Sequence, residues 1–294
     1  MKKFVVALGL AAVILPGLPP AAQAEQTPVR ISASYNTDSD GVSFTNYSLT
    51  TERKNNPWNY MYTNTRIRQR DSEGNVITEN RFTVNWRQPI DEESSFSVWA
   101  GYANSNVWKF AAFGAQYHGV VNYTDQLRLS YEHDAVPTVA AYNAHILGDR
   151  LSWSYQHEID RRLTLDLALK YARFSDSNFR KTVTVALTKT FSPRYRLGLE
   201  YGYDTSDLNK KSVFYLPKGE HSLSLVPEIA LPVGGGILVM TMSKSLFSRN
   251  VNGNINRTTY GARYRLKNLE IGMQYYRDDN YWSRDYSFSW NNRW

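Results

Sequence analysis

The chain contains no cysteine. That excludes a disulfide framework, thiol chemistry and any zinc site built on thiolates. Past the N-terminal leader it has no apolar run near the roughly 20 residues that a transmembrane helix needs, and mean hydropathy is −0.51. Metal-ligand spacings are missing as well. His118, His133, His145, His157 and His221 fall in no H-E-x-x-H pattern and beside no G-x-S-x-G elbow. Gly234-Gly235-Gly236 is followed by neither Lys-Ser/Thr nor a helical pattern, so it reads as a hairpin rather than a phosphate cradle. The expectation is a non-enzyme with no cofactor and no metal. His133-Asp134 reads as part of a solvated loop, and His118 and His157 as polar fillers on inward strand faces.

What is present begins with an export leader. Lys2-Lys3, the apolar run Phe4–Leu15 and the small residues Ala22-Gln23-Ala24 match the three parts of a cleavable signal peptide. The expected organisation is a leader over residues 1–24 and one domain over residues 25–294. Aromatic content is 14%, with 21 Tyr and 8 Trp, as expected where rings collect at membrane interfaces. The formal charge is +7, of which Lys2 and Lys3 belong to the leader. That excess is compatible with an anionic solute but too small to indicate nucleic acid as a partner.

The body of the chain alternates. In Arg161–Asp204, Leu163, Leu165, Leu167, Leu169 and Tyr171 share one face and Thr164, Asp166, Ala168 and Lys170 the other. Val183, Val185 and Leu187 repeat the pattern after Ser175–Asn178. Leu197, Leu199, Tyr201 and Tyr203 repeat it after Ser192-Pro193-Arg194. Side chains of a strand point alternately to opposite faces, so each run has one apolar and one polar side. Segments of this kind recur from Val29 to Trp294; Phe44–Lys54 and Trp58–Arg70 are weaker and their faces are not assigned. The pattern predicts an all-β, antiparallel outer-membrane β-barrel of about sixteen strands, with fourteen as the alternative. Connections after even-numbered strands are short, whereas His133–His145, Thr205–Glu220 and Phe247–Asn254 are longer, the usual split between periplasmic turns and outer loops.

Tyr286, Phe288, Trp290 and Trp294 share one face of the last segment. A terminal aromatic on an alternating strand resembles the signal read by the barrel assembly machinery, with Asn292 as a departure. Charges cannot face lipid cheaply, so alternation turns them inward. Arg128, Asp166, Lys170, Arg196 and Glu200 are expected to line a pore. So are Glu228, Arg257, Arg263, Arg265 and Glu270, with Arg257, Arg263 and Arg265 forming its most basic wall.

Several short features resemble the barrel region of outer-membrane exopolysaccharide secretion proteins, such as exporters of cellulose and poly-N-acetylglucosamine. They are Tyr171, Phe174-Ser175-Asp176-Ser177-Asn178 and Arg180, the Ser192-Pro193 turn, Tyr201-Gly202-Tyr203, and Tyr215-Leu216-Pro217. Such exporters carry a large helical-repeat region before the barrel, and here only Glu25–Pro28 precede the first strand. The resemblance therefore implies a pore for a polysaccharide, with any repeat scaffold and other periplasmic or inner-membrane export partners as separate proteins. The alternative is a non-transporting barrel that serves as surface receptor or assembly partner. In either case the expected setting is the lipid of a Gram-negative outer membrane.

Overall fold

The alternating segments become strands that pair strictly with their neighbours. A computed structural model describes residues 29–51, 57–69, 76–207, 217–250 and 253–292. Its first strands are β1 (Val29–Asp38), β2 (Val42–Thr51), β3 (Trp58–Gln69), β4 (Val76–Pro89), β5 (Ser95–Ser105) and β6 (Lys109–Asn122). Next come β7 (Asp125–Ala135), the one-turn helix α1 (Val139–Asn143), β8 (Leu147–Asp160), β9 (Leu163–Phe174), β10 (Phe179–Ser192) and β11 (Tyr195–Asp207). The rest are β12 (Glu220–Val233), β13 (Gly236–Asn250), β14 (Gly253–Asn254), β15 (Thr258–Leu266), β16 (Leu269–Arg277) and β17 (Trp282–Asn292). The two-residue β14 pairs with the end of β13 alone. The other sixteen form the wall, and β1 pairs antiparallel with both β2 and β17, so the sheet closes on itself. This is the expected outer-membrane-type barrel.

Cross-strand register assigns the faces. Leu187, Leu199 and Leu225 lie side by side on β10, β11 and β12, and all are exposed on the outside. Their neighbours Ala186, Glu200 and Ser224 form the matching inward row. At the seam, Ile31, Ala33 and Tyr35 meet Trp290, Phe288 and Tyr286, with the two tyrosine rings 6.4 Å apart. The outer aromatics and aliphatics therefore make one apolar band that includes the closing pair.

Both described termini lie at one end of the barrel, with the short turns. Pro193-Arg194 and Lys267-Asn268 span two residues each, as does Gly234-Gly235, where φ is 55° and 79°. Two successive positive φ values match a hairpin turn whose twist suits its strands, and glycine reaches them without strain. Before three of these turns the pairing shifts by one residue, at Val120/Asn122, Glu158/Asp160 and Thr190/Ser192. The extra residues Val121, Ile159 and Phe191 are all exposed and apolar. Each bulge keeps such a side chain outside while turning the strand.

Several expectations need correction. His133 and Asp134 belong to β7, which runs to Ala135. β11 continues to Asp207, and β13 extends to Asn250 through a stretch expected to be loop. His157 faces outward rather than inward, because it continues the row Leu151, Trp153, Tyr155 and stands opposite Leu165. β2 and β3 also acquire faces: Tyr47, Leu49, Trp58, Tyr60 and Tyr62 are exposed outside, while Phe44 and Ile67 turn inward. The signal segment, Asn55-Asn56, Ser72–Asn75, Tyr215-Leu216 and Trp294 lie outside the described residues.

The alternation is directly testable. Leu199→Arg puts a charge on the outer face in mid-strand and should cost about 2–4 kcal/mol in urea unfolding from lipid vesicles. Glu200→Arg, one residue along and inward, should unfold close to wild type.

Candidate channel interior

The end of the barrel away from the termini carries the longer connections, and one of them folds inward. Residues 136–146 link β7 to β8, and within them Thr138 caps α1 by accepting the Ala141 N–H at 3.1 Å. The helix buries Val139, Ala141 and Tyr142. Val139 and Tyr142 pack on inward residues of the wall, Ile67 on β3, Ile77 on β4, Ala103 on β5, and Phe110 and Ala112 on β6, while Ala141 packs with Val136, Ile146 and Phe174 of β9. Tyr142 meets the Phe110 ring edge-on at 6.2 Å, and Trp108 stacks on Phe110 at 4.6 Å and on His145 at 4.9 Å. Nearly all of the buried apolar core of this barrel is that contact, inside the lumen at the loop end.

A polar chain ties the helix down. The Tyr142 hydroxyl donates to the buried carboxylate of Glu79. Arg81 donates to Glu79 at 2.9 Å and, as a two-pronged fork, to Asp134 at 2.6 and 2.7 Å. Asp134 also accepts its neighbour's backbone N–H, from Ala135, at 2.7 Å. Burial, and next the Glu79 charge, push the Tyr142 phenol far above its usual range, so it stays protonated and donating. Arg150 extends the network, donating to the Ala135 carbonyl at 3.0 Å and pairing with Glu132 at 3.2 Å. Geometry of this kind, with every charge paired and hydrogen-bonded, is what a buried ionic group requires.

The rest of the interior is different in character. β1, β10, β12 and β17 contribute mostly inward Ser, Thr, Asn and Ala; the Ser32 and Ser48 hydroxyls sit 2.6 Å apart. Inward glycines leave room for such hydroxyls: a Cβ on Gly261 or Gly272 would meet Thr241 Oγ1 or Ser287 Oγ at 2.4 Å. The register turns inward every one of the ten residues expected to line a pore. They separate into two groups. Arg196 pairs with Glu228 at 3.6 Å, Arg257 with Glu220, and Arg263 and Arg265 share Glu270 at 3.4 and 2.9 Å. Arg128, Asp166, Lys170 and Glu200 form no ion pair among the described residues.

The expected basic wall is thus split and largely neutralised. Arg257 precedes β15 and is held at the loop end by Glu220 and Ser245, whereas Arg263 and Arg265 lie toward the turn end. Inward basic and acidic groups nearly balance, as the further pairs Arg180–Asp204 and Glu132–Arg150 show. Exposure is high for the turn-end arginines, 62% for each of Arg263 and Arg265, so water reaches this part of the interior. Among the inward aromatics, Phe44, Trp99, Phe110 and Phe174 belong to the apolar clusters at the loop end or pack beside them. Among the described residues no three His, Cys, Asp or Glu come together as a metal site.

Glu79, Asp134 and Tyr142 were not among the expected pore residues. The readable signal was Val136–Tyr142, where five of seven residues in a supposed solvated connection are Val, Ala or Tyr, with Pro137-Thr138 between them. A polar loop would not carry them.

No protein-family profile and no curated protein matches the chain. Solved structures do. A bacterial polysaccharide outer-membrane secretin superposes with a TM-score of 0.73 at 12% identity, covering 91% of this chain and 98% of its own. OccK11 (OpdR) and OccK3 (OpdO) of Pseudomonas aeruginosa each reach 0.50, at 10% and 9% identity, over 90% of this chain and 95% of theirs. The shared property is the outer-membrane barrel fold.

Removing the ties should release α1. Arg81→Met strands two buried carboxylates and should cost about 3–5 kcal/mol. Tyr142→Phe loses one hydrogen bond to a charged group, about 1–3 kcal/mol. In both variants amide hydrogen exchange over residues 138–144 should accelerate while β9–β11 stay protected.

Proposed function

We propose that the protein is a passive outer-membrane channel, and that its cargo is a secreted polysaccharide. The observation that carries the channel is the inward row of exposed polar side chains, Arg128, Lys170, Arg196, Glu200, Arg263 and Arg265, inside a closed sixteen-strand wall. A barrel of that strand number is wide enough for an aqueous path. Ser, Thr and Asn walls can exchange hydrogen bonds with sugar hydroxyls at every step, and offsetting charges hold neither cations nor anions strongly. The secretin with the same fold over 98% of its length is named for a polysaccharide. Passage needs no nucleotide, so the driving force would come from synthesis at the inner membrane, through separate periplasmic partners.

In this reading α1 sets the narrowest point. It occupies part of the lumen at the loop end, where the wall supplies apolar rather than hydroxyl surface. The same helix favours a second reading, a barrel closed at rest that serves as a receptor. Conductance separates the two.

Purified barrel in planar bilayers should conduct with weak ion selectivity, and deletion of residues 138–145 should raise unit conductance severalfold. A barrel that stays silent with and without the deletion sinks the channel. Added polysaccharide should block the current from the turn end; loss of that block alone removes the cargo and leaves the channel. Glu270→Gln frees two arginines at once and should shift the reversal potential toward anion preference.

A further inference from the structure

The outward face is asymmetric in charge. Near the turn end its girdle is aromatic, with Trp58, Trp86, Phe96, Tyr155, Tyr195 and Trp290. Within the described strands that end has one outward cation, Lys189, itself 3.8 Å from Asp160. The loop end differs. Arg66 and Arg68 near the end of β3, Lys109 opening β6, Arg173 near the end of β9 and Lys181 near the start of β10 all point outward and are exposed. On the other side of the barrel, Arg249 near the end of β13, Arg277 closing β16 and Arg284 near the start of β17 do the same. None of these cations forms an ion pair among the described residues. Two rest on aromatic faces, Lys181 over Phe179 at 5.0 Å and Arg284 over Trp282 at 5.0 Å.

Charges on the lipid face are tolerated only where the bilayer becomes polar, so this ring marks a headgroup level. Long Lys and Arg side chains reach such a level with their stems still on apolar surface. Sheet neighbours are about 4.8 Å apart, and the cations recur every few strands around the circumference, a spacing suited to separate lipids rather than to one compact ligand. Among the described residues of the strands one acid faces the ring, Asp149, and it is occupied by the Tyr131 hydroxyl at 2.7 Å and His133 Nδ1 at 2.8 Å. That carboxylate also lines, with Arg173, His133, Ser175, Ser177, Leu147 and Phe174, a cleft of roughly 230 Å³. There a cation, an imidazole, two hydroxyl-bearing residues and the engaged Asp149 carboxylate share one notch at the lipid boundary.

We infer that the loop-end girdle is a binding surface for phosphate-bearing lipid headgroups of the leaflet at that end. The phosphates neutralise the arginines and lysines of the ring. Anionic headgroups at one end and a neutral aromatic anchor at the other would fix the barrel's height and direction in an asymmetric bilayer. The surface is independent of what the interior conducts.

The test is native mass spectrometry of the full barrel in neutral detergent, titrated with bisphosphorylated lipid A and with the same lipid dephosphorylated. Wild type should retain the phosphorylated lipid, and raising salt from about 0.1 to 1 M, which shortens the screening length from about 10 to 3 Å, should strip it. Replacing Arg66, Arg68, Arg277 and Arg284 by Gln should weaken retention on the order of ten-fold or more, while Lys189→Gln at the turn end should not. If the quadruple variant does not fold, the pair Arg173→Gln and Lys181→Gln, on another part of the ring, gives the same reading. Equal retention of the dephosphorylated lipid, or wild-type retention by folded variants, overturns the proposal. So does complete displacement by excess inorganic phosphate, which would make the surface a site for free anions.

Discussion

Hydrocarbon offers a backbone no hydrogen-bond partner, and from this one constraint most of the molecule follows. A strand crossing lipid must find its partners on both sides, so the sheet has to close. Here β1 closes it by pairing with β17 over its whole length, from Val29 opposite Asn292 to Asp38 opposite Ser283. Closure in an antiparallel sheet demands an even number of wall strands, and sixteen satisfy it. It also imposes the strict alternation: a residue that slips by one would move from lipid to lumen. The bulges at Val121, Ile159 and Phe191 absorb such slips where they do least harm, just before a turn.

With charges barred from the outer mid-face, the interior must house them. Two solutions coexist. Near the turn end, arginines pair loosely across neighbouring strands at 2.9–3.6 Å and stay largely hydrated, so each pair contributes little to stability. Near the loop end, Glu79 and Asp134 are buried and bound tightly to a half-buried Arg81. That difference is produced by α1, which excludes water from one side of the lumen and brings Tyr142 to the carboxylate that needs a donor. The helix and the ionic network therefore depend on each other: without α1 the charges would be ordinary lumenal groups, and without the charges the helix would be held by apolar contact alone.

Much of this is legible in the sequence where one rule acts alone. β9–β11 face lipid outside and water inside over all but the loop end of β9, where Ala172 and Phe174 meet an apolar cluster, so their periodicity is clean, and register, turns and inward residues follow from it. The rule fails where the inside is not water. β2 and β3 carry Phe44 and Ile67 inward against the helix cluster while Arg66 and Arg68 look outward, and the polar and apolar faces exchange along one strand. His133 and Asp134 were misplaced in a loop for a related reason. Neither residue type signals a strand, yet one finds Asp149 outside and the other Arg81 inside. His157 was turned inward because histidine is polar, although the alternation of its own strand already placed it beside Tyr155. Its partner Asp125, which also accepts from Tyr155, is what makes an outward imidazole affordable at that end.

A net charge is only informative once its location is known. An excess of basic residues over acidic ones suggests an anion path if the surplus lies in the lumen. Here the inward groups nearly cancel, and the surplus described by the structure lies on the outer face, at the loop end. The same composition then speaks to the surrounding lipid and not to the solute. Inside the barrel the imbalance is local: two arginines on Glu270, and Lys170 and Glu200 on β9 and β11 with no ion pair among the described residues. A barrel built this way can carry a basic overall charge on its outer face and still enclose a nearly neutral, hydroxyl-rich interior.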